Sequence, residues 1–250
     1  MDVFESVKRT IKYSRKYGGQ LTERQLYERL IGDKVYLREE ISNFKFPISN
    51  KKNSHLKEKE KKAEELADKI SKKFKDILFL GITGSVAAEY PKKNDDIDII
   101  IITKADKLWL TRLKLRLFII TNKIPHRKFG KKEKKDDFCF NLWLDEKSLK
   151  IKSEKQKLKN AVDLILVKPL INRNKTYEKF ILANIWAKKY VATGYGEKIS
   201  NFQFLISKNK PKENKLDKIV NGVAFWPQFW YMKRRIKNEK VGLHEAFFHH

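Results

Sequence analysis

Residues 77–103 read ILFLGITGSVAAEYPKKNDDIDIIIIT, and this stretch decides the fold. Residues 77–83 and 96–103 are short, nearly continuous apolar runs, the mark of central strands buried on both faces. The second run opens on aspartates, which strands deplete and which cost free energy to bury unpaired. Side chains two apart in a strand share a face, so Asp96 and Asp98 project together while Ile97 and Ile99 enter the core. Asp95 points the other way and reads as a loop or cap residue. A solvated strand mouth is the plain reading of the pair. The chemical reading is a cation site, because adjacent carboxylates repel unless a positive charge lies between them. Hard oxygen donors at an open sheet edge suit Mg²⁺ or Mn²⁺. Upstream, Gly84-Ser85 follows the first strand directly. A glycine there lets backbone N–H groups approach a phosphate, and the serine hydroxyl adds a donor.

Outward from this core, residues 3–17 carry Val3, Val7 and Ile11 at helical spacing, stopped by Gly18-Gly19. Thr22 is placed to cap a short helix bearing Leu26, Leu30 and Ile31. With a strand or short helix pair after it, residues 1–50 read as a helical module of winged-helix type, or as a helical cap. Residues 47–53 form a polar linker, and 54–74 predict an amphipathic helix with Leu66, Ile70 and Phe74 inward. Residues 108–121 are ambiguous, since Leu113, Leu115 and Leu117 alternate like a strand, but their length and lack of breakers favour a helix with Arg112 and Arg116 one turn apart. A basic loop follows, then a third strand over 137–145. Beyond it lie helices over 154–167 and 174–190, separated by Lys168-Pro169, and a long element over 214–238 interrupted at Pro227. The aromatic cluster there, Phe225, Trp226, Phe229, Trp230 and Tyr231, is expected in the core rather than stacked on bases. The predicted fold class is α+β: a small mixed-sheet core over 54–150, a helical N-terminal module over 1–50 and a helical region over 151–250.

Composition narrows the partners. The 250 residues are 41% hydrophobic with 16 Phe, 9 Tyr and 5 Trp, enough for a core. Lys and Arg number 57 against 31 Asp and Glu, a formal charge of +26, which favours a polyanion such as RNA or DNA. The cations are mainly dispersed lysines, which lack the bidentate fork of arginine, and this tempers that expectation. A single cysteine, Cys139, excludes an intrachain disulfide and a multi-cysteine zinc cluster. The opening MDVFESVKRT lacks the apolar run of a secretory signal, and no apolar stretch is long enough for a bilayer. The expectation is a cytoplasmic protein with no membrane partner.

The Gly-Ser pair, ten residues and then Asp-Ile-Asp, each half beside a buried strand, resembles the signature of the polymerase-β-like nucleotidyltransferase superfamily, including its minimal prokaryotic members. The resemblance covers Leu80 to about Leu144. It implies Gly84 and Ser85 at the triphosphate of an NTP, and Asp96 and Asp98 as catalytic ligands of Mg²⁺ or Mn²⁺. It also implies transfer of a nucleoside monophosphate to a hydroxyl acceptor with release of pyrophosphate. Nucleic acid is favoured as acceptor by charge, with a protein or small molecule as alternatives. The family usually carries a third carboxylate on the next strand, where this chain has Asn141. An amide can ligate a metal through its carbonyl but cannot accept a proton as a carboxylate does. Asp137 and Asp145 fall on the same nominal face and are the alternatives. A nucleic-acid-binding protein with a degenerate core is the competing expectation. Arg112, Arg116 and the lysines of 128–135 could meet a phosphate, although solvated surface is the plainer reading.

Overall fold

A computed structural model describes residues 1–42, 53–127, 134–152, 155, 157–200, 202, 214–234, 236 and 239–248. In chain order the elements are helices α1 (Val3–Lys16), α2 (Glu23–Glu28), α3 (Arg38–Ser42) and α4 (Ser54–Lys73), then β1 (Ile77–Ile82), α5 (Gly84–Ala87), β2 (Ile97–Thr103), α6 (Leu108–Thr121) and β3 (Phe138–Asp145). There follow α7 (Leu158–Leu166), β4 (Lys168–Asn172), α8 (Thr176–Ala183), a 3-10 turn (Ile185–Lys189), α9 (Ala192–Ser200), α10 (Lys215–Lys233), β5 (Lys240–Val241) and β6 (Glu245–Phe247). The class is α+β, with one mixed six-stranded sheet in the order β4-β1-β2-β3-β6-β5.

The chain divides into two compact units. One gathers Met1–Ser54, Lys150–Val167 and Glu178–Ile206; the other gathers His55–Leu149, Lys168–Tyr177 and Ser207–His250. The first is helical. Val7, Leu21, Leu26, Leu30, Tyr36 and Ile41 form its buried cluster, with Val3 and Ile11 packed against it. Thr22 caps α2 as expected, its hydroxyl accepting from Gln25 N–H while the Gln25 side chain accepts from Thr22 N–H. Among residues 1–42 the only β feature described is a single bridge from Gly32 to Val191, so no wing is seen there. The expected linker falls mostly in 43–52, outside the described residues.

The second unit holds the sheet. Every residue of β1 is buried, and in β2 Asp98 alone is not. β1 pairs antiparallel with β2, and β2 pairs parallel with β3. The helix over 108–121 forms as predicted. Leu66, Ile70 and Phe74 of the α4 segment are buried as predicted.

Lys168-Pro169 is not a break. It opens β4, which pairs antiparallel with β1 at the sheet edge, a position where a proline lacking N–H is tolerated. Nor does Pro227 interrupt α10. The carbonyl that Pro227 leaves without an intrahelical donor belongs to Val223, which is 68% exposed and open to water. The aromatic cluster of α10 is split rather than buried whole. Phe225 is buried, whereas Trp226, Trp230 and Tyr231 are more than half exposed.

Candidate functional site

Gly84 is the joint on which the site is built. Its φ of +65 is the left-handed conformation that residues with a Cβ rarely adopt. A Cβ added there would overlap the Asp98 Oδ2 atom and stand 3.1 Å from Asp98 Cγ. Thr83 N–H donates to the Asp98 carbonyl at 2.9 Å, which holds the end of β1 against the start of β2. The Gly84-Ser85 turn therefore lies directly on one of the two acids. Ser85 is half-buried at the start of the four-residue α5.

Asp96 and Asp98 share a face, as their spacing predicts. Asp96 is 6% exposed and Asp98 is half-buried. Asp95 is the loop residue expected, its carboxylate accepting from Lys92 N–H at 2.9 Å. The parallel register sets Asp98 beside Cys139, then slips: Ile99 pairs with Phe140 but Ile100 pairs with Leu142. Asn141 is the extra residue of this bulge. It is buried, and its Nδ2 donates to Asp98 Oδ1 at 2.7 Å.

The third group gathered with the aspartates is Cys139. Atoms of the two carboxylates and the thiol lie within 4.8 Å of one another. Burial pushes the Cys139 thiol well above its usual value, and the Asp98 and Asp96 charges push it the same way. The thiol is therefore neutral at physiological pH. Register explains its presence: the direct pairing of Cys139 with Asp98 brings the sulfur to the acids.

Arg127 was also not singled out from sequence. Arg127 N–H donates to Phe138 O at 3.0 Å, and Phe138 N–H donates to Pro125 O at 3.1 Å. This short segment beside β3 delivers the guanidinium to Asp96, with Nη1 3.3 Å from Oδ2 and 3.9 Å from Cys139 Sγ. Nothing in the spacing of the basic loop distinguishes Arg127 from its lysine neighbours. Of the lysines at 128–135, only Lys134 and Lys135 fall among the described residues.

A buried lysine supports the loop from behind. Lys59 of α4 is 1% exposed, and its Nζ donates to the Asp95 carbonyl and to Asp136 Oδ1, each at 2.6 Å. Burial would raise the Asp136 carboxyl, but hydrogen bonds from Lys59 and Lys62 outweigh it and hold the group below its ordinary value. Lys59 could have been found from sequence, because it lies one turn before Ala63 on the buried stripe of the helix.

The alternatives to Asn141 are placed differently. Asp145 is not available to the pair. It stands opposite Thr103, five residues along β2 from Asp98, or roughly 17 Å at the rise of a strand. There it is fully buried and accepts from His244 and from Asp106 N–H. The nominal face assignment failed because the bulge at Asn141 breaks the alternation that linked Cys139 to Asp145. Asp137 is half-buried next to Phe138, outside the group formed by Asp96, Asp98 and Cys139. Arg112 and Arg116 are engaged by α10. Arg112 donates to Gln228 at 2.7 Å and lies over the Trp109 and Phe248 rings, and Arg116 lies over Tyr231. Burial, with repulsion from Arg116, lowers the Arg112 guanidinium to about 9.

The donor set fits a hard divalent cation at its carboxylate end. Asn141 can add its amide oxygen once its nitrogen, which now donates to Asp98, releases that acid. No helix among the described residues is long and apolar enough to cross a membrane. Compared with known proteins, the chain matches no family model, and no curated protein or solved structure is significantly similar to it.

Proposed function

We propose that this chain is a metal-dependent nucleotidyltransferase of the polymerase-β-like type, moving a nucleoside monophosphate from an NTP to a hydroxyl. The observation that carries the reading is the overlap a Gly84 side chain would make with Asp98. It means that the turn suited to a phosphate and the acid pair suited to Mg²⁺ or Mn²⁺ occupy one end of two adjacent strands. In this reading Gly84 N–H and the Ser85 hydroxyl hold the triphosphate, and Asp96 and Asp98 hold the cation. The cation supplies charge neutralisation and polarisation at the phosphate when bound. Arg127 offers a guanidinium to a phosphate oxygen once Asp96 turns to the cation. The acceptor oxygen bonds to the α-phosphorus, the bond to pyrophosphate breaks, and the hydroxyl proton leaves to solvent. Positioning and charge supply most of such a barrier reduction, so little covalent chemistry is asked of the protein. The charge of +26 favours RNA or DNA as acceptor over a protein or small molecule.

A second reading, a nucleic-acid-binding protein that has lost turnover, is favoured by one specific feature. The residue turned toward Asp98 from β3 is an amide, not a carboxylate. Each α-labelled NTP, incubated with Mg²⁺ or Mn²⁺ and a panel of RNA, DNA, protein and small acceptors, separates the two. Label transfer abolished by Asp96→Ala and by Asp98→Ala supports the enzyme. Transfer that survives either substitution sinks the assignment of the pair. No transfer, with salt-sensitive binding of nucleic acid, selects the second reading.

A further inference from the structure

The far end of β2 and β3 carries a second cluster that nucleotidyl transfer does not use. Asp106 sits in the turn between β2 and α6, Asp145 ends β3, and His244 occupies the turn between β5 and β6. Asp106 is 2% exposed and Asp145 is fully buried, while the His244 side chain is 33% exposed. We propose that Asp106, Asp145 and His244 bind a divalent transition cation of the Zn²⁺ class, which fastens the β5–β6 pair to the end of the sheet. This assignment does not depend on the function proposed for the Asp96–Asp98 end.

One feature points to a ligand, and a second shows the cluster arranged to receive it. First, Oδ1 of Asp106 accepts no hydrogen bond although it is buried, and it faces His244 Nδ1 at 3.9 Å. A buried carboxylate oxygen without a donor costs free energy, so an uncompensated acceptor here marks a place for a cation. Second, hydrogen bonds and an ion pair already orient both carboxylates. Asp106 Oδ2 takes the Lys147 ammonium at 2.7 Å, and Asp145 Oδ1 takes Lys147 N–H at 2.9 Å. Asp145 Oδ2 takes Asp106 N–H at 3.1 Å and lies 2.7 Å from His244 Nδ1. Outer contacts of this kind orient metal ligands before the ion arrives.

The geometry and donor types select the class of ion. One atom from each residue lies within 4.8 Å of the others. Tetrahedral zinc with bonds near 2.1 Å sets its donors about 3.4 Å apart. The observed separations from His244 Nδ1, 2.7 and 3.9 Å, straddle that spacing. Imidazole with two carboxylates suits Zn²⁺ or a neighbouring transition ion better than Mg²⁺, which prefers oxygen and water. The exposed side of His244 leaves room for water as a fourth ligand. With the imidazole neutral, as ligation requires, two carboxylates against the one Lys147 ammonium leave one negative charge for the ion to meet. Binding displaces the proton shared between His244 Nδ1 and Asp145, so uptake weakens in acid.

The test uses the full chain carrying Asp96→Asn and Asp98→Asn, which removes the other carboxylate pair, stripped with a chelator. Zn²⁺ is titrated by calorimetry and by the rise in thermal midpoint, and Co²⁺ by its visible absorption. The expected result is uptake of one ion and a raised midpoint, with affinity reduced at least about tenfold by a further His244→Ala. The half-exposed imidazole makes that substitution tolerable, and His244→Gln is the reserve variant. His249 and His250 remain in both chains, so any ion they hold cancels. Zn²⁺ bound equally with and without His244 overturns the assignment. So does an absence of Zn²⁺ uptake, which identifies the cluster as an ion-pair network only.

Discussion

Replacing Gly84 by alanine tests the joint between the phosphate-side turn and the acid pair. Two costs follow from the structure. The φ of +65 is retained only at roughly 1–2 kcal/mol once a Cβ is present. The new methyl also overlaps Asp98 Oδ2, with Asp98 Cγ 3.1 Å and Asp98 Cβ 3.3 Å away. The flexible end of the side chain must move, and the 2.7 Å bond from Asn141 moves with it. Losing that bond in a buried setting adds about 1 kcal/mol. The expected destabilisation is therefore about 2–3 kcal/mol.

Urea unfolding measures this as a lowered midpoint at unchanged slope. The internal control is Gly222→Ala in α10, where nothing lies within 4 Å of the added Cβ. Alanine there should leave stability unchanged or raise it by up to about 1 kcal/mol, through helix propensity. The proposed transfer gives a second readout. A displacement of the Asp98 carboxylate by roughly 1 Å lowers label transfer on the order of 100-fold where geometry governs rate. A Gly84→Ala chain as stable as the parent, or one transferring label within threefold of it, refutes the reasoning.

Three further outcomes are expected. Lys59→Met removes an ammonium that is 2% exposed and bridges Asp136 and the Asp95 carbonyl; unfolding experiments should show a loss of about 3 kcal/mol, and an unchanged midpoint would count against the bridge. The hydrogen bond to Asp145 raises His244 above its usual 6.5, so in chelator the stability it supplies is complete below pH 6.5 and fades as pH rises through the raised native value. His244→Asn should thus destabilise more at pH 6 than at pH 9, given that Asp145, Asp106 and Lys147 are the charges facing the ring; equal losses at both would contradict this. Asn141→Asp sets a third carboxylate against Asp98, so its thermal midpoint should fall in chelator and recover with Mn²⁺ more than the parent's does. A midpoint indifferent to Mn²⁺ would deny the cation role.

The strands β1, β2 and β3 and the helices α4 and α6 were legible because each is specified locally. Continuous apolar runs mark the strands, and a 3.6-residue stripe marks α4. The face shared by Asp96 and Asp98 follows from the same local rule. What sequence did not reveal depends on pairing between distant segments. β4 is a strand because β1 presents an edge to it, although its second residue is proline. The brief β5 and β6 exist through pairing with β3 and with each other. The C-terminal half divides between two compact units, and no shift in composition announces that division. At the site, Cys139 depends on parallel register, Arg127 on the path of a loop and Asn141 on a bulge. Each is set by hydrogen bonds between strands rather than by spacing along one.

The bulge gives a physical account of why an amide stands where a third carboxylate was sought. It makes Asn141 the one β3 residue left without a Cα partner on β2, and its amide is turned onto Asp98. Without a cation, a carboxylate there would face Asp98 at hydrogen-bond distance and repel it, whereas an amide donates to it. Arg127 performs the same service for Asp96. A divalent cation entering this site competes with a guanidinium and an amide that are already in place. Its affinity reports that competition, and the two functional readings diverge there. An enzyme must let Asp98 exchange the Asn141 amide for a cation during turnover. A chain that only binds nucleic acid can keep the amide bond permanently, its acids serving to anchor Arg127 and the loop.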